Sequence, residues 1–334
     1  MNSVHSMLLA LADPLGCNLP GNVAPLPGAQ MKRLLELAER HGVLPAVVSN
    51  VKGLAERGAA LWNGDDQARA LWESVPDRLL QRTGLCLALR QQASEIAQAF
   101  RGAGLQMVVL KGGDFADRIY PHPSLRSFTD VDVLIPQSAL AASREVMGGL
   151  GYQPIVVAMK YDVGYGEEVR HRPQRAGGSV EVHTNLVNSP SLRRGLSVSF
   201  EDLQLTPADP QPHPSPAATI LIAAVHGAAS HSFDRLQLLV DIMQAVRQAA
   251  SGLDEGYLKD AIARTGAARA VATGLWLAHR LFGEARCRQL SQRLGLPQPG
   301  LLCRAAMSRG VVLRGHAWRD SFRRQLFRSM LKSR

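Results

Sequence analysis

Hydrophobic and polar positions change period along this chain, and the changes divide it into helical and strand-bearing stretches. From residue 29 to 101 the spacing is that of amphipathic helices, with Leu34, Leu35 and Leu37 in one segment and Leu79, Leu80, Thr83, Leu87, Ile96 and Phe100 along another. Breaks are expected at Pro45, Gly53, Asn63-Gly64 and Pro76. Residues 105–110 then form a short apolar run of strand character, closed by Lys111-Gly112-Gly113 and followed by a helical stretch over 114–120. The order is strand, glycine turn, helix. Gly102-Ala103-Gly104 comes before this strand and reads as a helix C-cap, not as a dinucleotide-binding turn. Pro121-His122-Pro123 stops the next helix, and a strictly alternating strand follows at Asp130-Val131-Asp132-Val133-Leu134. Ser138 is placed to cap a further helix that ends near Gly148-Gly149.

Beyond Gly151 the pattern predicts a strand over 153–159, a polar Gly- and Arg-rich hairpin or mobile loop over 164–178, and an alternating strand over 179–186. Prolines at 207, 210, 212, 214 and 216 exclude a continuous helix or a central strand there. The helical period returns from residue 217 and persists through 220–229, 236–249 and 261–282. The expected architecture is therefore α+β. Residues 1–101 form an N-terminal helical segment packing on a core at 102–204, which holds a small mixed sheet with flanking helices. Residues 205–216 are a linker, and 217–334 are a C-terminal helical domain with a basic tail. In that tail, from Trp318 onward, Phe322, Leu326, Phe327 and Met330 recur at helical spacing among arginines. Such a segment either lies on RNA or a membrane surface, or docks by its apolar stripe and leaves its arginines solvated.

Composition narrows the ligands more than the fold. The 334 residues are 46% hydrophobic and carry a formal charge of +10, which suits polyanions such as nucleotides, RNA or acidic surfaces. The aromatic share of 5% argues against a broad stacking platform for single strands. Cys17, Cys86, Cys287 and Cys303 are scattered, so neither a zinc site nor a disulfide framework is signalled. No basic leader precedes the short apolar stretch at 7–11, and no apolar run reaches membrane-spanning length. A cytoplasmic protein without stable membrane insertion is the expectation.

The chemistry sits in the two alternating strands. Period-two geometry puts Asp130 and Asp132 on one face and Val131 and Val133 on the other, presenting the acids on a wet face while the reverse packs. Two carboxylates this close repel, and a magnesium ion bridging them to phosphate oxygens relieves the repulsion; a solvated strand start is the plainer alternative. In Ser179-Val180-Glu181-Val182-His183 the same alternation puts Glu181 and His183 on one face. If the strands are neighbours, Asp130, Asp132 and Glu181 converge on one or two metal ions, unless Glu181 serves as a base. The Gly112-Gly113 turn lets backbone N–H groups approach a phosphate, with Lys111 or Arg126 adding charge, or it is only a tight connection. His183 either orients an acceptor hydroxyl or bonds a neighbour within the sheet. His226, Arg235 and Asp241 either form a buried polar network or, for His226 and Arg235, reach a substrate across a cleft. The basic loop Arg170-His171-Arg172-Pro173-Gln174-Arg175 is read as solvated. A Walker lysine loop, a zinc-protease motif and a serine or cysteine nucleophile signature are all missing.

Taken together, the glycine turn, helix, Asp-x-Asp strand and later acid resemble the nucleotidyltransferase superfamily of polymerase β-like fold. Val109-Leu110-Lys111-Gly112-Gly113, Tyr120-Pro121, Leu125-Arg126, Asp130-Val131-Asp132-Val133-Leu134 and Glu181-Val182-His183 narrow the resemblance to its uncharacterised bacterial branch of the fifth NTP-transferase type. His226, Phe233, Arg235, Leu236 and Leu239-Val240-Asp241-Ile242 extend it to about residues 29–280. The resemblance implies Asp130, Asp132 and Glu181 as ligands of one or two Mg²⁺ ions and Gly112-Gly113 as the phosphate-contacting turn. It implies transfer of a nucleoside monophosphate from an NTP to an acceptor hydroxyl or phosphate, with release of pyrophosphate. The acceptor stays open among a small molecule, tRNA and protein, the last two describing a toxin-like enzyme; an inactive nucleotide- or RNA-binding module of the same fold is the other alternative. Where the compact superfamily pattern has Gly-Ser, this chain has Gly-Gly and a longer step containing Pro121-His122-Pro123.

Overall fold

The computed structural model describes residues 4–20, 25–59, 64–155, 169–173, 178–209, 211–249, 252–315 and 317–332, with backbone alone at 155 and 169–173. The first helices are α1 (Val4–Leu11), α2 (Gly28–Arg40), α3 (Leu44–Glu56), α4 (Asp66–Glu73) and α5 (Val75–Gly102). Met31, Leu34, Leu35, Leu37 and Ala38 of α2 are buried at the predicted spacing. The Asp65 carboxylate caps α4 by accepting from Ala68 N at 2.8 Å and accepts from Gly28 N at 2.8 Å, which ties α4 to the start of α2. Pro45 and Pro76 do not lie in breaks, because they occupy the first turns of α3 and α5, where a missing N–H costs nothing. Gly53 lies inside α3.

The next elements build the sheet. They are β1 (Val108–Val109), α6 (Gly113–Arg118), β2 (Asp130–Leu134), α7 (Leu140–Gly149), β3 (Tyr152–Ile155), β4 (Val169–Pro173), β5 (Ser179–His183) and α8 (Pro190–Arg193). Their order is β1-β2-β5-β4-β3, with β2 and β5 parallel and the other pairings antiparallel, so the sheet is mixed as expected. The predicted strand over 153–159 is seen as β3, and residues 156–159 lie outside the described residues. The hairpin expected within 164–178 contributes β4, and 164–168 and 174–177 lie outside the described residues. Ser138 caps nothing here: it sits inside a 3₁₀ turn, Gln137–Ala139, that leads directly into α7.

Alternation gives the sheet two different faces. Val131, Val133, Val180 and Val182 pack with Leu89, Ile96 and Phe100 of α5 and Met147 of α7. The opposite face meets the helices that follow β6 (Leu205–Thr206) and β7 (His213–Pro214), a two-residue ladder formed within the proline-rich stretch. Those helices are α9 (Pro216–Val225), α10 (Leu236–Gln248), α11 (Glu255–Thr265), α12 (Ala268–Phe282), α13 (Ala285–Arg293), α14 (Leu301–Ala306), α15 (Arg309–Leu313) and α16 (Ser321–Met330). One apolar core joins Leu134 and Leu110 of the sheet region to α9, α10 and α12 and also to α1, α2 and α3. Within the N-terminal segment, α5 covers the sheet's far side, whereas α1 to α3 share the core of the later helices. Arg247 of α10 fastens this arrangement, donating to both oxygens of buried Asp13 at 2.6 and 3.0 Å and to Glu284 at 2.6 Å. No helix among the described residues is long and apolar enough to cross a membrane.

Candidate active site

Parallel pairing of β2 and β5 brings the predicted acids together. The register sets Asp132 beside Glu181, and residues in register on adjacent strands share a face. Two residues further along β5, His183 lies on that face too. Ligand atoms of Asp132, Glu181 and His183 all fall within 4.8 Å of one another. His183 Nε2 lies 3.1 Å from Asp132 Oδ1 and 3.6 Å from Glu181 Oε2, and its Nδ1 lies 3.2 Å from Asn188 Oδ1. Asp130 lines the same cavity but is not a member of this tight group, because it lies one two-residue repeat before Asp132, in register with Ser179. Of the trio expected from sequence, Asp132 and Glu181 join His183 at closest range, and Asp130 lines the same cavity.

The face is enclosed. Asp132 is 3% exposed, contrary to the expectation that the acid pair is presented openly, because α9 and the turn after it roof the sheet. Enclosure requires compensation, and the Lys111 ammonium supplies it at 2.5 Å from Asp132 Oδ2. Burial alone would raise the Asp132 pKa, but Lys111 and His183 outweigh it and hold the carboxyl well below the usual carboxylate range. Burial likewise works against the Lys111 charge, yet Asp132, Asp130 and Glu181 hold its pKa above the ordinary lysine value. For Asp130 the balance goes the other way: burial raises its pKa against the pull of Lys111, and Asp132 adds to the rise.

The cavity encloses about 260 Å³, and its far wall comes from the helical layer. There α9 runs into a single π-helical turn, His226–Ser230, that brings His226, Ala229 and Ser230 to the cavity. The chain then turns through Ser232 and Phe233, both with positive φ, before entering α10. Gly227 is required at this point, since a Cβ there would stand 2.7 Å from the Phe233 ring. His231 packs edge-on to His226 at 4.8 Å between ring centroids. Desolvation, with Lys111 and His231 adding to it, pushes His226 well below the ordinary imidazole range; desolvation and then Arg235 push His231 down to about 4. His226 thus reaches the site as a neutral wall residue. Arg235 does not line the cavity: it donates to His231 Nδ1 at 2.8 Å and lies 3.3 Å from Asp234.

Arg126 is also placed elsewhere. Its guanidinium is clamped by Asp241 of α10, with two donations of 2.8 Å, while Tyr120 Oη donates to the same carboxylate at 2.7 Å. Its third nitrogen donates to Gly112 O at 3.2 Å. Arg126 therefore braces the glycine turn from behind, and Asp241 belongs to the buried polar network foreseen for it. Gly112 has φ +61° and ψ −115°, and Gly113 opens α6 and borders a neighbouring recess of about 190 Å³ shared with Lys111 and Asp130. Asn188, Ser189, His231 and Arg328 line the main cavity without having been singled out from sequence. The five-residue step from His226 to His231, which matches the π-turn, was the readable signal for one of them; Arg328 comes from the last helix and had none.

A small mixed sheet that aligns acids across two parallel strands beneath a helical layer defines an α+β protein of nucleotidyltransferase type. The chain belongs to the family described as uncharacterised nucleotidyltransferase, whose sequence profile matches residues 27–283. No curated protein matches the chain at a significant level. The matched region ends at the C-cap of α12, so α13 to α16 lie beyond it.

Proposed function

We propose that the cavity between the sheet and the helical layer transfers a nucleoside monophosphate from an NTP to an acceptor, with release of pyrophosphate. The observation that carries this reading is the register pairing of Asp132 with Glu181, which gathers two carboxylates and the His183 imidazole within 4.8 Å beside Lys111. The two carboxylates suit a hard divalent cation, Mg²⁺ or Mn²⁺, and the imidazole favours the softer Mn²⁺ of the two; Asp132, Glu181 and His183 would hold it with Asp130 at the edge. Such an ion, when bound, supplies Lewis-acid polarisation of a phosphoryl oxygen. The remaining work falls to the chain's own groups. The Lys111 ammonium exchanges its Asp132 partner for a triphosphate oxygen, balancing charge that builds on the leaving pyrophosphate. The Gly112-Gly113 turn, free of side chains, allows backbone N–H groups to approach the phosphates. Asn188 holds His183 by its Nδ1, which keeps Nε2 turned toward the carboxylates.

Labelled NTP incubated with cell lysate and Mg²⁺ or Mn²⁺ tests the activity and reports the acceptor class, because a macromolecular acceptor gives a labelled band. Glu181→Gln is the informative variant, because Glu181 is less buried than Asp132 and the amide is isosteric with the carboxylate. Its transfer rate should fall at least about a hundredfold with an unchanged melting temperature. Wild-type transfer by Glu181→Gln and by Asp132→Asn would overturn the assignment, and calorimetric heat from NTP binding without product would mark a binding module instead.

A further inference from the structure

A second concavity, of about 770 Å³, lies where α1 and α2 meet α15 and the turn Trp318–Asp320, and it shares no lining residue with the candidate active site. Arg33, Arg40, Arg309, Arg314 and Arg319 line it, and among the described residues no carboxylate does. Two of the five form ion pairs: Arg33 faces Glu36 at 3.7 Å, and Arg314 donates to both oxygens of Asp320 at 2.6 and 2.7 Å. Arg40, Arg309 and Arg319 form no ion pair among the described residues. His5 feels their field, since burial and then Arg33 and Arg309 lower its pKa. At the rim, Trp318 is 88% exposed.

Three guanidiniums without an ion-pair partner among the described residues, beside two that are paired, leave a net positive concavity, and such a concavity focuses the field on a polyanionic ligand. Guanidinium geometry matches phosphate by paired donation, and a fully exposed indole offers a face on which an unpaired base stacks. A planar bilayer would touch the rim and leave the walls of the groove unfilled, whereas a flexible phosphate strand enters it. We propose that this groove binds single-stranded RNA, with arginines on the phosphates and Trp318 under a base. With one aromatic side chain, it is chiefly an electrostatic site.

The groove also has a physical link to the catalytic cavity. Trp318 opens the turn that leads into α16, and Arg328 near the end of that helix lines the cavity. Ten residues of helix span roughly 15 Å. A strand held at Trp318 therefore lies within a few nucleotides of the acids, and RNA becomes the acceptor class; this last step rests on the nucleotidyl-transfer reading, whereas the binding does not.

Fluorescence anisotropy of a labelled oligouridine with the full chain, without NTP, tests the groove. Wild type should bind with affinity that falls steeply with salt. The double variant Arg40→Glu/Arg319→Glu should lose about tenfold or more in affinity and show a shallower salt slope. Trp318→Ala should weaken oligouridine several-fold while leaving binding of heparin, a polyanion without bases, unchanged. Circular dichroism melts verify that each variant folds, and Glu181→Gln should bind as wild type does, which separates this site from the catalytic one. Unchanged affinity in the charge-reversed variant overturns the proposal. So does tighter binding to phosphatidylserine-containing vesicles than to the oligonucleotide, since that outcome makes the groove a membrane contact.

Discussion

Gly112 and Gly113 look interchangeable in the sequence, and the backbone separates them. At φ +61° and ψ −115°, Gly112 occupies a region closed to L side chains, and an added Cβ would stand 3.3 Å from the Phe128 ring. Gly113 has no positive φ, and its nearest obstacle is the flexible Arg90 side chain at 3.4 Å. Gly112→Ala is therefore expected to cost about 1–3 kcal/mol and to disturb the Lys111 position, whereas Gly113→Ser stays within about 1 kcal/mol of wild type. Urea unfolding of the two variants checks the ordering, and equal losses would remove the argument. The same scale marks how far single residues could be read in advance. Asp130, Asp132 and Glu181 were legible because a period of two assigns strand faces without knowledge of the fold. The Lys111–Asp132 ion pair was not, since it depends on where a turn delivers a flexible side chain. Nor was the place of His183 in the tight group in front of Asp130, because that depends on which residues come into register across the two strands.

At the level of elements, Arg126 shows why a cationic residue near a glycine turn misleads. A phosphate-binding arginine and a bracing arginine carry the same letter, and only the arrival of α10 decides between them. Here Asp241 takes both arms of the guanidinium with Arg126 only 6% exposed, so the pair fastens the loop before β2 to the helical layer. Breaking a buried pair leaves one charge unpaired, and Arg126→Ala or Asp241→Ala should each cost about 3–5 kcal/mol. The double replacement Arg126→Met/Asp241→Leu should be less harmful than the sum of the singles, a coupling that thermal melts of a double-mutant cycle measure. Strict additivity would mean that the two residues act separately. Elements with a strong period, such as α2 and β2, were readable for this reason: their pattern is local. Helix starts were less so. Pro45 and Pro76 signal a boundary equally well as a break or as a first-turn residue, and the choice belongs to the neighbouring helices.

Across the whole molecule, residues far apart in sequence close on one core, and His41 stands at the join. It follows α2, accepts at Nδ1 from Leu236 N at the start of α10 at 3.3 Å, and places Nε2 3.1 Å from Leu313 O in α15. Accepting at one nitrogen and donating at the other requires a neutral ring. Desolvation lowers its pKa to about 4, against the pull of the Leu313 carbonyl, and His231 and His226 are also lowered by desolvation. An unfolded histidine titrates near 6.5, so between about pH 6.5 and 4 the unfolded chain binds more protons than the folded one. Stability is therefore fully present above about pH 6.5 and falls as the pH drops through this window, by on the order of 3 kcal/mol for His41 alone. Asp132, depressed by Lys111 and His183, extends the loss below pH 4, while the raised Asp130 opposes the loss above that pH, as its folded carboxyl protonates before an unfolded one would. Melting temperatures measured from pH 7.5 to pH 5 should decline. His41→Gln keeps a donor and an acceptor but cannot titrate, and it should flatten part of that decline at some cost in stability at neutral pH. A variant with the wild-type slope would show that the acid sensitivity arises at His226 and His231, which line the cavity, and not at the join.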